Sequence, residues 1–476
     1  MLLLEAGDAP VVFPPSLLDA RRVPGASPGA ATSWAFPALL ARDRPWSVTR
    51  GKVLGGSTTT NGGYFVRPRP EDADRWSSAG GASWSWDALL PHLRALECDL
   101  DLGTAPDHGS SGPVPVRRPA LDHPVAAAFV DAAVGSGHRR VADLNAVGEG
   151  GIGAVPSNVV EGVRVNAGLA YVLPARARPN LTVVDRAHVH RVVVQDGVAT
   201  GCVVERDGRL QTVTADEVVL AAGALGSAHL LVLSGIGPAR ELEALGVPVV
   251  HDAPVGGLSD HPQVVLSWRP RPGLPTVTGA WAPAALHTSP GGGPPSGDVE
   301  VLLSLLPLEA LGGAGPVDPA APLPLLLSSL APVRGGRLQV RSTDPSNAPF
   351  LDLRYLRTSD DRQQLRLAVR AAVDVVTTPA FREVCDGLVD LDLRMLDDDD
   401  ALDRWVADHL STAFHTCGTA PFGEAADPHA VVAPDGRVHG VAGLRVADLS
   451  VLPTSPLRGP ALTAVLVGEV VAASMT

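Results

Sequence analysis

The sequence predicts an α/β fold spread over two domains, and three observations carry that reading. The chain has 476 residues, more than one hydrophobic core organises, because cores stop growing near roughly 250–300 residues. Its first residues, Met1 to Leu4, form an apolar run ending in Glu5-Ala6-Gly7, the pattern of a buried strand that stops at an acidic residue. Between Leu181 and Leu220 several β-rich pieces follow one another and lead into a leucine-rich segment of helical length.

Composition narrows the function classes. Hydrophobic residues are 45% and charged residues 19% of the chain, enough apolar surface to exclude disorder over most of the length. The 50 glycines and 44 prolines follow no collagen period and imply many loops and close backbone approaches. A net charge of −13 without a basic stripe argues against nucleic acid or an anionic membrane as a partner. No stretch reaches the ~18 uncharged apolar residues of a transmembrane segment, and the N-terminus lacks a basic region before its apolar run. Cys98, Cys202, Cys385 and Cys417 are far apart and form no C-x-x-C, so neither a disulfide framework nor a metal site is expected, and a reducing, cytoplasmic setting fits.

The elements follow in order. After the strand at Leu2 to Leu4, the pieces LTVVD, HVHRVVV, VATGCVVE and EVVLAAG read as an antiparallel meander, turned at Asp196-Gly197 and Asp207-Gly208, that returns to a core strand. Gly223 breaks that strand, and Leu225 to Leu233 is a helix stopped by Ser234-Gly235-Ile236-Gly237. From Pro270 to Pro332 the chain is crowded with Pro and Gly, and Pro290 to Gly297 is a loop or disordered link. In the second unit the best helix is Asp360 to Val376, with Leu365, Val369, Ala372 and Val376 at helical spacing behind an Asp-rich cap. Asp397 to Asp400 is the solvated, dipole-favoured start of a helix containing Trp405.

Four features carry chemistry. Gly51 to Gly63, GKVLGGSTTTNGG, is a backbone bare enough to meet a phosphate or a flat ring, with Ser57 and Thr58 adding donors; an ordinary Gly-rich turn is the alternative. His415, in FHTCGTAPFG, is either a structural histidine or a group that exchanges a proton near neutral pH. His261, in DHP, reads as a turn or helix-cap residue. Asp448 follows a strand-like run, where open α/β sheets hold ligands, or else caps a helix.

Taken together these segments are similar to those of the glucose-methanol-choline (GMC) oxidoreductases, an FAD-dependent family. LLLEAG at Leu2 to Gly7, GKVLGGSTTTNGG, GALGSAHLLVLSGIG at Gly223 to Gly237 and HTCGTAPFG with GRVHGVAGLRVADLSVLPT carry the resemblance. RPNLTVV at Arg178 to Val184, PVGGLSDHP at Pro254 to Pro262 and RGGRLQVRSTDP at Arg334 to Pro345 support it. The resemblance implies a Rossmann-like FAD-binding domain from residues 1–262 and 410–476, and an α+β substrate-binding domain with an antiparallel sheet from 263–409. It implies that Glu5 accepts hydrogen bonds from the adenosine ribose, and that Gly55, Gly56, Ser57, Thr58, Asn61 and Gly62 lie against the pyrophosphate and flavin. Val189 would meet the adenine through its backbone, Ala222 and Gly223 the adenosine side, and Asp448 the phosphate and ribityl portion. His415 would take a proton from an alcohol while hydride passes to flavin N5, giving an aldehyde or ketone. Thr60 stands where a histidine would be needed for a covalent flavin link.

Two departures from the family pattern stand out. Its first element, a strand followed by G-x-G-x-x-G, is absent, so the first βα unit, some 30 residues, is expected upstream of a misassigned start. The family's second His or Asn, five residues beyond Thr454, is here Gly459. Adjacent Arg458 either stabilises a developing alkoxide or pairs with a carboxylate. The stretch PLRGP resembles the mycofactocin-associated branch, which would make the substrate a mycofactocinol, a redox-cofactor alcohol, with the respiratory chain a candidate acceptor. The alternative reading is a non-catalytic GMC-like protein with impaired FAD binding.

Overall fold

The computed structural model describes residues 1–27, 29–313, 317–331 and 335–475; Pro332 and Arg334 lie outside the described residues. The N-terminal run is a strand, Leu2–Leu4, paired in parallel with Thr182–Val184 in the register Leu2 to Thr182. A second parallel pair joins Val218–Leu220 to Leu444–Val446, so a strand from each half of the sequence meets near the C-terminal Asp448.

Between these pairs lies the expected meander, His188–Gln195, Val198–Arg206 and Arg209–Thr214 in one antiparallel sheet. Both turns have two residues in the left-handed region, Asp196 (φ 50°) with Gly197 (φ 76°) and Asp207 (φ 52°) with Gly208 (φ 71°). That geometry matches the twist of a two-residue hairpin, and Asp-Gly supplies it at low steric cost. The helix after the core strand spans Gly223–Leu233, two residues longer than its leucine pattern, because Gly223 at φ 78° makes the break and also opens the helix.

Among the described residues the largest sheet has seven strands. Pro262–Pro270 pairs antiparallel with Leu323–Ser329, which pairs with Val299–Leu303, which pairs with Ala284–Thr288. Ile152–Ala154 and Leu410–Thr412 extend it from outside 263–409. The sheet therefore straddles both of the boundaries drawn from the sequence. Strands buried on both faces read as continuous apolar runs, as in Leu323–Ser329, where all seven residues are buried. The helix Ser359–Val376 packs on this sheet, and it begins on a capping box: Thr358 accepts from the Asp361 amide and Asp361 from the Thr358 amide. The cap is thus a threonine with one returning aspartate, not an acidic cluster. Asp398 caps the helix Asp399–Asp408 in the expected way.

A buried ionic knot ties the helix Trp86–Leu96 to the loops around it. The Arg67 guanidinium holds Glu97 at 2.5 Å, with side chains 1% and 0% exposed. His108 lies 2.9 Å from Glu97, 3.0 Å from Asp99 and 3.0 Å from Asp143, and Arg118 reaches Asp99 and Asp143. Burial alone would lower the His108 pKa, but the hydrogen bonds of Asp143, Asp99 and Glu97 outweigh it and push it up to about 10. Glu97, Asp99 and His108 have the mutual spacing of metal ligands, yet two arginines already balance these acids, which is the chemistry of an ion-pair network.

Candidate active site

The Gly-rich segment closes onto the N-terminal strand. Asp8 bridges Val53 in parallel, and a Cβ on Gly7 would stand 1.9 Å from the Lys52 carbonyl, so only glycine lets the two backbones touch. Gly55 (φ 87°) and Gly56 (φ 55°) then turn the chain into the short helix Ser57–Thr60. A Cβ on Gly56 would meet nothing within 4 Å, leaving that face of the turn open. Thr58 donates its hydroxyl to the Gly55 carbonyl and accepts from the Ala167 amide, while Ser57 accepts from the Gly51 amide. Asn61 Oδ1 accepts from the Gly63 amide, and the Trp281 indole donates to the Gly62 carbonyl. Of the two hydroxyls expected as donors, Thr58 is spent within its own loop.

Glu5 and Val189 come to the same end of the parallel pair. The Ala187 amide donates to the Glu5 carbonyl, and Glu5 Oε1 accepts from the Gly7 amide at 2.7 Å. Burial raises the Glu5 carboxyl pKa, opposed by the Gly7 amide and the Lys52 charge. Ala222, Gly223 and Asp448 form a second group. Asp448 Oδ2 accepts from the Gly223 amide at 2.9 Å and from Ser227, and Oδ1 accepts from the Ser450 amide and hydroxyl. Of the sequence alternatives for Asp448 the hydrogen bonds show the cap: it caps the turn Leu449–Val451, and it also fixes the Gly223 turn. A Cβ on Gly223 would also meet open space.

His415 follows Phe414, a non-glycine residue held at φ 61°, the left-handed region that bulky residues avoid. Its amide donates to Asp260 Oδ1 at 2.6 Å, and the Thr412 hydroxyl donates to Asp260 Oδ2. The ring meets His261 edge-on, with the two Nδ1 atoms 2.8 Å apart and the planes at 87°. Burial, then the His261 and Arg50 charges, hold the His415 pKa well below its ordinary value, with Glu300 pulling the other way. His261 is likewise lowered by burial, while the carbonyls of Pro456 and Leu330 favour a proton on its ring. The turn or cap role expected of His261 is corrected: it is fully buried and packs on His415, because Pro262 opens the large sheet and turns residue 261 inward.

Arg458 is 1% exposed. Its guanidinium donates to the carbonyls of Leu457, Ser296 and Gly297, and no carboxylate pairs with it among the described residues. The Pro290–Gly297 loop is thereby tied to the C-terminal segment. The place of the residue absent at Gly459 is filled: a Cβ there would stand 3.0 Å from the Tyr64 ring and 3.3 Å from His415 Cε1. The Tyr64 hydroxyl donates to Glu300 Oε2 at 2.6 Å, and His287 Nε2 lies 3.0 Å from the same oxygen. Arg50, half-buried, donates to Thr416 and faces Asp260.

Sequence reasoning missed Tyr64, His287, Glu300 and Arg50, and gave His261 a different role. A signal was present for Glu300, a carboxylate inside the apolar run VEVLL, and for His287 inside AALHT, since a lone polar residue in a buried strand needs a partner. For Tyr64 there was none, because its role depends on a glycine almost four hundred residues away.

The comparisons agree on one family. Family models described as GMC oxidoreductase match residues 8–263 and 332–468. An uncharacterized GMC-type oxidoreductase of Rhodococcus erythropolis is 33% identical over 98% of this chain and 92% of its own length. An oxygen-dependent choline dehydrogenase of Rhizobium rhizogenes is 32% identical over 90% of this chain and 83% of its own. The structure of pyridoxine 4-oxidase from Mesorbium loti superposes with a TM-score of 0.90 at 27% identity, covering 99% of this chain and 93% of that one. The residues present fit the family's FAD: bare, open turns at Gly56 and Gly223 leave backbone for a nucleotide to approach, and Glu5 stands half-buried at the end of the N-terminal strand. This chain belongs to the GMC oxidoreductase family, as an FAD-dependent oxidoreductase acting on CH–OH donors, built on a Rossmann-like α/β fold.

Proposed function

We propose that the protein oxidises a small alcohol to a carbonyl compound with His415 as the base that takes the hydroxyl proton. The observation that carries this reading is the His415 imidazole held Nδ1 to Nδ1 against His261, in surroundings whose burial favours its uncharged form. One proton must lie between the two nitrogens. With that proton on His415 Nδ1, the lone pair at Nε2 faces away from His261 and is free to accept the substrate proton. A buried neutral partner at His261 keeps the tautomer without adding charge.

Bound FAD supplies the two-electron acceptor for the carbinol hydrogen. Glu5 would hold the ribose; Gly55, Gly56, Ser57, Thr58, Asn61 and Gly62 the pyrophosphate and flavin; and the Val189 backbone the adenine. Ala222 and Gly223 would present the turn that Asp448 fixes. The part proposed for Arg458 is its charge beside Tyr64 and Glu300, since its donors reach carbonyls. The flavin unit comprises 1–262 and 410–476 and the substrate unit 263–409, with the large sheet as their shared wall. A cytoplasmic setting belongs to the same reading and is supported by the free thiols Cys98, Cys202 and Cys385. The PLRGP segment keeps mycofactocinol as a candidate natural donor.

The test is a visible spectrum of the purified protein incubated with FAD. Retained flavin bands that bleach when choline, pyridoxine or a simple primary alcohol is added without oxygen are expected. Bands that stay unbleached across all of them would sink the reading.

The pH dependence has a definite sign. Because the folded-state pKa of His415 lies below the ordinary 6.5, the base stays deprotonated as the pH falls through 6.5. The acid limb of kcat/KM is therefore expected well below pH 6.5. A limb at or above 6.5 excludes His415 as the titrating base.

A further inference from the structure

A row of polar side chains crosses the large sheet. His287 stands directly opposite Glu300, Glu300 opposite Ser328, and Ser328 opposite Gln263. Residues in register across a sheet point to the same face. Four neighbouring strands thus present a continuous polar line, and every member is buried. His261 precedes Gln263 by two and continues the line toward His415. Tyr64 joins it through Glu300, and both its ring and that of His415 border Gly459.

Burying such a row is costly unless each group is satisfied. Within it the Tyr64 hydroxyl and His287 Nε2 both converge on Glu300 Oε2, and Gln263 Nε2 donates to Ser328, while His261 Nε2 meets no partner among the described residues. Two acceptor oxygens are also left over. Among the described residues no donor reaches Glu300 Oε1 or Gln263 Oε1. Glu300 is an anion at neutral pH: burial would raise its pKa, but the hydrogen bonds from His287 and Tyr64 hold it at about 2. Its charge already faces that of buried Arg458, which makes no ion pair among the described residues but lies within electrostatic reach of Glu300 as well as of Asp72 and Glu71. A second cation would leave the row with excess positive charge, whereas a neutral donor would complete it.

We propose that this row is the substrate-recognition floor and that it selects an alcohol carrying a further hydroxyl group, which donates to Glu300 Oε1 or Gln263 Oε1 while the reacting hydroxyl lies at His415. The inference rests on the alcohol-oxidising reading above. A site that pairs a substrate hydroxyl discriminates strongly against the analogue without it, because its own acceptor is then left buried and unpaired.

The test compares the flavin-loaded protein on α,ω-diols of three to six carbons with the matching monoalcohols and amino alcohols. At the best chain length the diol is expected to exceed the monoalcohol in kcat/KM by about 100-fold, with the amino alcohol no faster than the diol. In Glu300→Gln that preference should shrink below about tenfold. Diol and monoalcohol rates within threefold of each other in the unaltered protein overturn the proposal, as does a preference for amino alcohols, and neither outcome depends on a variant folding. Failure of every alcohol to bleach bound flavin overturns instead the reading on which it stands.

Discussion

Replacing His415 with alanine is expected to slow alcohol-driven flavin reduction by about 10²–10⁴-fold, the usual contribution of a positioned general base, while the flavin remains bound. The two effects separate because His415 contacts His261 and Asp260, whereas the open turns that fit a nucleotide lie at Gly56 and Gly223. Alanine removes a ring whose companion His261 stays buried and neutral, so no charge is stranded. Anaerobic stopped-flow reduction of the variant, read beside its flavin absorbance, checks both parts. An unchanged reduction rate would remove His415 from the mechanism.

Arg67→Leu should be the most destabilising single change, lowering unfolding free energy by about 3–5 kcal/mol, the cost of leaving a buried charge without its partner. Glu97 has no exposed surface with which to recover the loss. His108, though protonated, is already shared among three acids. Its raised pKa fixes the sign of the alkaline response: the stability it contributes is complete below pH 6.5 and fades as the pH rises through about 10. Denaturant melts of the unaltered protein and Arg67→Leu at neutral pH measure the first effect. A loss under 1 kcal/mol would show that the knot is not a structural fastening.

Local pattern made much of the fold legible. Strand periodicity, Asp-Gly turns and leucine spacing concern neighbours in sequence, and the meander, the Gly223–Leu233 helix and the Asp398-capped helix follow from them. The segment GKVLGGSTTTNGG and His415 were visible for the same reason. What stayed hidden were contacts between distant segments. His261 looked like a turn residue because its partner lies 154 positions away, and Arg458 offered two chemical roles until three backbone carbonyls closed around it. The polar row needs the register of four strands, which no single strand encodes.

The contact between Gly459 and Tyr64 makes the two positions a single unit of inheritance. A side chain at 459 would press on the Tyr64 ring and on His415 Cε1, so it fits only where those rings give way. Changing either residue alone passes through a crowded or hollow intermediate, and their substitution effects will not add. Variation at these two sites is therefore expected to be coupled, so that the effect of a change at one depends on the residue at the other.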